Sequence, residues 1–320
     1  MKVNKPIKAG ILGATGYTGR ELVRLLRLHP ALELSFASSE AEAGTSVLGN
    51  GLRYVRAEDA PLDEVDVVFS CLPTGESGAW AVRAAGAGAL AIDLSADLRE
   101  GAAGAVYGLP ELWRAELAGA RLVANPGCYP TGILLALAPL LATGLVDGTR
   151  PVIVDAASGV TGAGRSAKRD LLFGEVAEDY RAYGVGNGHR HVPEIAAGLA
   201  RTGVPTEFVF TPHLLPIRRG ILETMYVPLS EGVATADLVA AAQRAYAEEP
   251  FVEVVESLPS VQDVVGRNVV ALGFSPVAGV TRPLALVVAA FDNLLKGAAG
   301  QALQNANLLL GRAEAEGLPR

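Results

Sequence analysis

The sequence predicts an α/β protein in two parts: a parallel sheet with helices on its faces, followed by a mostly antiparallel α+β domain. Three observations carry this. Over the first hundred residues, short apolar runs alternate with helix-period segments, the pattern of βαβ units. After residue 150, strand-like runs succeed one another with few helices between them. A length of 320 residues, half of them hydrophobic, supplies core for two domains or for one large α/β domain.

The elements follow in order. IKAGIL (7–12) reads as a buried strand. GRELVRLLRLHP (19–30) places Leu22, Leu25 and Leu26 on one helical face and stops at Pro30. LELSFAS (32–38), VDVVFSCL (65–72) and LAIDLSA (90–96) are further strands, with the helical SGAWAVRAAGAG between the last two. LVANPG ends a strand and turn, and TGILLALAPLL is a helix. Then come the strands VIVDAAS (152–158), EFVFTPHL (207–214), LETMYVPL (222–229), FVEVVES (251–257), NVVALGFSP (268–276) and LALVVAAFDN (284–293). KGAAGQALQNANLLLG (296–311) closes the chain as a helix. No repeat or long linker interrupts it.

Composition excludes several function classes. Net charge is −7 with both signs mixed and no basic cluster, so no nucleic-acid partner is expected. Two cysteines without a CxxC give no disulfide framework, fit a reducing cytoplasmic setting, and leave no metal site expected. The N-terminus lacks an uninterrupted apolar leader region, and no apolar run reaches 18 residues, so no membrane association is expected.

Glycines recur at 10, 13, 16 and 19, after the first strand and into the first helix. The spacing departs from GxGxxG, but the physical task is the same: a tight turn and backbone N–H groups open to a phosphate at a helix start. Gly13, Thr15, Gly16, Tyr17, Thr18 and Gly19 are therefore candidate dinucleotide contacts, the threonines adding hydroxyl donors. The end of the second strand reads FASSEAEAG. Ser38 and Ser39 stand where a carboxylate would repel a 2′-phosphate, and Glu40 follows. This favours NADP (NADPH) and leaves NAD open, with Arg53 or another basic residue distant in sequence to assist.

Cys128 lies in ANPGCYPTG, at or near a helix N-terminus, where unpaired N–H groups and the macrodipole favour a thiolate and can hold an oxyanion. A nucleophilic thiol beside a nicotinamide implies a thioester between an aldehyde and an acyl derivative. Cys71, in FSCLPTG, has no helix opening directly after it and reads as a small buried hydrophobe. GNGHRHVPEI offers the proton partner: His191 first, with Glu194 to orient it, and His189 second. His29 reads as an exposed structural residue before Pro30, and His213 as a residue that positions the loop carrying Arg218 and Arg219. Arg99, beyond the fourth strand, and Arg165 with Lys168, in SGVTGAGRSAK, suit an anionic substrate.

GILGATGYTGRELVRLL, DLSADLR, NPGCYPTG, SGVTGAGR, HRHVPEI, FTPHLLPIRRGI and FDNLLKGAAGQALQNAN stand in that order from residue 10 to 307. Together they resemble the N-acetyl-γ-glutamyl-phosphate reductase family of arginine biosynthesis, within the aspartate-semialdehyde dehydrogenase-like superfamily. The resemblance implies a Rossmann-type NAD(P)-binding domain (1–148 with 297–320) and an inserted α+β catalytic and dimerisation domain (149–296). It also implies NADPH-dependent reduction of an acyl phosphate, N-acetylglutamyl 5-phosphate, to the 5-semialdehyde, with Cys128 as nucleophile. The histidines of HRHVPEI would form the acid/base region, Asn293 would lie near the nicotinamide, and the protein would be a homodimer or homotetramer. The SSEAEAGTS loop departs from the basic residue the family often carries there.

Three other readings stand beside it. A lysine-pathway reductase acting on carrier-protein-linked aminoadipyl phosphate has nearly the same motifs; Tyr129-Pro130 and HRHVPEI favour the arginine enzyme. Aspartate-semialdehyde dehydrogenase shares the chemistry, and the NPGCYPTG and HRHVPEI strings speak against it. A dinucleotide-binding sensor needs neither a helix-start thiol nor a histidine loop.

Overall fold

The computed structural model describes residues 5–47, 49 and 51–320; the opening MKVN, read above as part of a start without a leader, lies outside them. In chain order the elements are β1 (Ile7–Leu12), α1 (Tyr17–Leu28), β2 (Leu32–Ala37), β3 (Val67–Ser70), α2 (Ser77–Gly86), β4 (Leu90–Asp93), β5 (Val106–Tyr107), α3 (Pro110–Leu117), β6 (Leu122–Ala124), α4 (Cys128–Ala142), β7 (Val152–Gly159), α5 (Phe173–Val176), β8 (Arg181–Ala182), α6 (Val192–Ala200), β9 (Phe208–Leu215), β10 (Ile221–Pro228), α7 (Thr235–Ala245), β11 (Val252–Val254), β12 (Val270–Pro276), β13 (Leu284–Phe291) and α8 (Gly300–Leu309).

The chain forms two compact units, residues 1–127 with 298–319, and residues 128–297 with Arg320. The sequence-based boundary at 148 placed α4 with the first unit. Its contacts are with α6, α7, β10 and β13, which group it with the second.

The first unit is a six-stranded sheet in the order β2-β1-β3-β4-β6-β5, with every neighbouring pair parallel. β1 to β4 are largely buried apolar runs, as a sheet covered on both faces requires. The strand order reverses between β1 and β3, which puts a topological switch point at the C-terminal end of β1.

α8 completes this unit against α1 and β4. His29, expected to be exposed, is buried. Its Nε2 meets Asn307 Oδ1 at 3.1 Å, while Nδ1 accepts from the N–H groups of Ala31 and Leu32. The ring caps the end of α1 and ties it to the C-terminal helix, so the structural role stands and the exposure is corrected.

Burial lowers the His29 pKa below its ordinary 6.5, against the opposing pull of the Asn307 bond. Its stabilising contribution is therefore complete above about pH 6.5 and is lost as pH falls through the depressed folded value. Urea midpoints should fall from pH 7.5 to 5.0, and less so in His29→Gln. Equal slopes in the two proteins would refute this.

The second unit is a seven-stranded mixed sheet, β11-β12-β13-β10-β7-β9-β8. Four of its six pairings are antiparallel, and β7–β9 and β11–β12 run parallel. α4 is apolar on nearly every side and packs inside this unit, touching two helices and two strands.

Pro139 sits within α4 and cannot donate to the carbonyl of Leu135, four residues back. The Tyr246 hydroxyl donates to that carbonyl at 2.6 Å and is itself buried. Tyr246→Phe therefore leaves an unsatisfied buried carbonyl and should cost about 1–3 kcal/mol in denaturant unfolding. A loss below a few tenths would show that the carbonyl finds another donor.

Candidate functional site

The glycine turn lies at the switch point of the first unit. Gly13 has φ +75°, and a Cβ there would approach the Cys71 carbonyl oxygen to 2.7 Å. A Cβ at Gly19 would come within 2.5 Å of the Gly13 oxygen, so its absence lets α1 close onto the turn. Gly16 is the N-cap of α1 and has no side-chain cap, which leaves the first-turn N–H groups of α1 without a competing side-chain acceptor from that position. Thr15, Gly16, Tyr17 and Thr18 line this turn, all partly exposed.

Ser38 is buried beneath the turn, where its Oγ accepts from the Gly13 N–H at 3.1 Å. Its hydroxyl is used to hold the loop. Ser39, also buried, meets Thr15 Oγ1 at 3.1 Å and accepts from the Glu42 N–H. The basic residues missing from the SSEAEAG string arrive through the fold. Ser38 bridges in parallel to Val55, which brings residues 53–56 alongside. Arg53 donates to the Gly44 carbonyl, Arg56 pairs with Glu40 at 3.5 Å, and Arg20 faces Glu42 at 3.8 Å. Sequence reasoning named Arg53 and missed Arg20 and Arg56.

At the C-terminal ends of β4 and β6, Arg99 is half-buried and donates to the carbonyls of Asn125 and Leu94. Asn125, in the turn that leads into Cys128, uses every polar group it has. Its N–H donates to Asp93, its carbonyl accepts from Arg99, its Oδ1 accepts from Asn305, and its Nδ2 donates to Ala298. Cys71 follows β3 and is partly exposed, not the fully buried residue expected; desolvation together with Asp93 still pushes its thiol well above the ordinary range, which leaves it inert.

In the second unit, Cys128 is the first residue of α4, so the thiol stands where helix N–H groups and dipole favour negative charge. Gly297 makes room beside it, since a Cβ there would lie 3.1 Å from Cys128 Cβ. That glycine belongs to a π-turn, Leu295–Ala299, a departure from α geometry that recurs at functional sites.

Tyr129 follows the thiol and is buried. Its hydroxyl meets that of Tyr183 at 2.9 Å, and Ser158 also bonds to it. Its ring makes edge contacts with His189, His191 and Phe210 at centroid distances of 5.5, 5.9 and 5.1 Å. Burial, together with the neighbouring Tyr183 and Cys128, raises the Tyr129 phenol far above its usual range. Burial likewise pushes Tyr183 up to about 12, so both phenols stay protonated.

The two histidines touch, with ring centroids 4.7 Å apart. His189 Nδ1 accepts from the His191 backbone N–H at 3.1 Å. Burial, then the charge of Arg190, brings His189 down to about 4, so its imidazole is neutral at pH 7. His191 is the buried N-cap of α6, and Glu194 is buried in the first turn of that helix, three residues on.

Asn293 is buried with both amide ends engaged: its Oδ1 accepts from the Gly220 N–H and its Nδ2 donates to Thr161 Oγ1. Beside it the buried Asp292 takes two bonds from Arg219 and backbone N–H groups of Gly266, Leu294 and Leu295. The RRG and FDN strings, 73 residues apart, thus form one clamp, a function that sequence reasoning did not assign. Arg165 and Lys168 lie exposed on the loop after β7, and Arg218 is exposed before β10. His213 bonds the Ala156 carbonyl and stacks on Tyr180, which fixes β9 to β7 and to the preceding loop.

Comparison with known proteins agrees with this geometry. Residues 8–120 match the family model for the semialdehyde dehydrogenase NAD-binding domain, and residues 128–293 that for its dimerisation domain. N-acetyl-gamma-glutamyl-phosphate reductase of Citrifermentans bemidjiense is 44% identical over 98% of both chains. The protein of that name from Symbiobacterium thermophilum is 45% identical over 98% of this chain and 97% of its own. Aspartate semialdehyde dehydrogenase II of Vibrio cholerae, solved with ASA, superposes with a TM-score of 0.78 over 96% of this chain and 99% of its own, at 22% identity. The last comparison shows the shared two-domain α/β fold, and the others the lineage: the chain belongs to the N-acetyl-γ-glutamyl-phosphate reductase family of the semialdehyde dehydrogenases.

Proposed function

We propose that this chain reduces N-acetyl-L-glutamyl 5-phosphate to N-acetyl-L-glutamate 5-semialdehyde with NADPH, in arginine biosynthesis and in the cytoplasm. The observation that carries the reading is a thiol at the first position of a buried helix, followed directly by Tyr129, whose ring touches two histidines and whose hydroxyl meets that of Tyr183. Cys128 Sγ attacks the acyl carbon, phosphate departs, and a thioester forms. N–H groups at the start of α4 stabilise oxyanion character on the carbonyl oxygen. His191 moves the proton at that oxygen as the thiohemiacetal collapses and Cys128 is released, while neutral His189 supports it by hydrogen bonding, with Glu194 orienting the loop. Arg99 and Arg165 supply positive charge for the anionic substrate.

The positive-φ turn at Gly13 and the open N-cap at Gly16 fit a dinucleotide pyrophosphate. The nicotinamide group held there supplies the hydride. Arg20, Arg53 and Arg56 around the loop after β2 support NADP over NAD.

The test runs the reaction in reverse: phosphate-dependent reduction of NADP and of NAD with N-acetylglutamate 5-semialdehyde. Turnover that requires phosphate and prefers NADP is expected. A folded, cofactor-binding protein without turnover on this aldehyde would overturn the substrate assignment.

The face of the second sheet away from α4 carries Ile153, Val209 and Tyr226, all exposed and adjacent across β9, β7 and β10. A second copy of the chain is the proposed occupant, in keeping with the dimerisation-domain match. Tyr226→Glu should then halve the mass measured by light scattering and leave a folded protein. An unchanged mass would place the interface elsewhere.

A further inference from the structure

Glu223 occupies the inward phase of β10, between Ile221 and Met225, and is fully buried. Neither carboxyl oxygen has a hydrogen-bond partner. A Cβ built on Gly132, in the second turn of α4, would lie 2.1 Å from its Oε2 and 2.4 Å from Phe291 Cε1. The carboxyl and the ring thus fill the room a side chain at 132 would take. The other edge of that ring reaches 3.4 Å from a Cβ on Gly297, which would be 3.1 Å from Cys128 Cβ. The carboxyl and the ring thus both lie against Gly132 of α4, and the ring's far edge and the nucleophile's Cβ both lie beside Gly297.

We propose that Glu223 is a positioning residue for Cys128, its carboxyl bracing the start of α4 through Gly132 and Phe291. The proposal rests on Cys128 being the nucleophile.

Burial pushes the Glu223 carboxyl well above the usual range, so it stands as a neutral acid. The titratable groups on α4 are Cys128 and Tyr129. The positions opposite Glu223 on β7 and β13 are Ala156 and Ala289, which carry none. Arg219 and Asp292, at the near ends of β10 and β13, are paired with each other. An ionised Glu223 has no counter-charge among these. Its deprotonation draws in water, loosens the brace at Gly132 and places negative charge beneath the helix start that the thiolate also needs. The thiol should therefore lose reactivity on the alkaline side, where a bare thiol would only gain thiolate.

The experiment is the pH dependence of Cys128 alkylation by iodoacetamide, with the label located by peptide mapping, a readout independent of the substrate's identity. In the native protein the rate should level off or fall at high pH. In Glu223→Gln, which keeps the shape and cannot ionise, that loss should move up by at least one pH unit or vanish. Gly132→Ala, whose methyl displaces both the carboxyl and the Phe291 ring, should lower kcat at least tenfold. Superimposable alkylation profiles, or a Gly132→Ala variant with native turnover, would overturn the proposal. Retained turnover in Cys128→Ser would instead remove the nucleophile reading beneath it.

Discussion

Cys128→Ser is expected to lose at least about 10⁴-fold in kcat while its affinity for the nicotinamide cofactor stays unchanged. The helix start that favours a thiolate cannot do the same for a serine hydroxyl, whose pKa lies far higher. An oxygen ester, had it formed, would also accept hydride less readily than a thioester and release alkoxide less readily than thiolate. The residue is isosteric, and Gly297 leaves the site the same room, so folding and cofactor binding should persist. Steady-state phosphate-dependent turnover and NADPH fluorescence titration test both halves. A variant within tenfold of native turnover would rule out covalent catalysis at this position.

His191→Asn is expected to lower kcat by about 10²–10⁴-fold and to abolish one limb of the pH profile of kcat/KM. The assignment turns on its neighbour. His189 spends Nδ1 accepting the His191 N–H, and burial holds it neutral down to about pH 4. It therefore stays neutral between pH 5 and 9 and produces no limb there, and the shuttle falls to His191. His189→Asn should leave the limbs in place with a smaller loss in rate. If the limb disappears with His189 instead, the two roles exchange.

Most sheet strands were legible because each is a short apolar run between turn residues; the two-residue β5 and β8 were not read. Ile7–Leu12 matches the segment read from sequence, and the bounds of β2, β7, β9, β10 and β13 fall within two residues of theirs. α6 and α7 were not read. Their inward positions are filled in part by alanine and glycine, such as Gly198, Ala241 and Ala242, so the apolar period is faint. Cys128 was legible because its turn and the following apolar run are contiguous. The Arg219–Asp292 clamp was not, because partners 73 residues apart leave no local trace. Ser38 shows a second non-local partner: a hydroxyl at the strand end reads as a phosphate ligand, and only the fold shows that it also accepts from the Gly13 N–H. Glu223 had a signal in Ile-x-Glu-x-Met-x-Val, whose period of two puts a carboxyl in the core.

The first unit is assembled from two separated stretches of chain, and this bears on how the protein is made. A ribosome delivers β1 to β6 early, then the whole of the second unit, and only then α8. Until that helix emerges, Gly108 lacks the amide donors of Gln301 and Asn305, and His29 lacks Asn307. At synthesis rates of about 5–20 residues per second, the nascent dinucleotide-binding sheet waits on the order of ten seconds with one face unfinished. The second unit has all its own strands before then, so α8, made after it, completes a unit whose sheet was made before it.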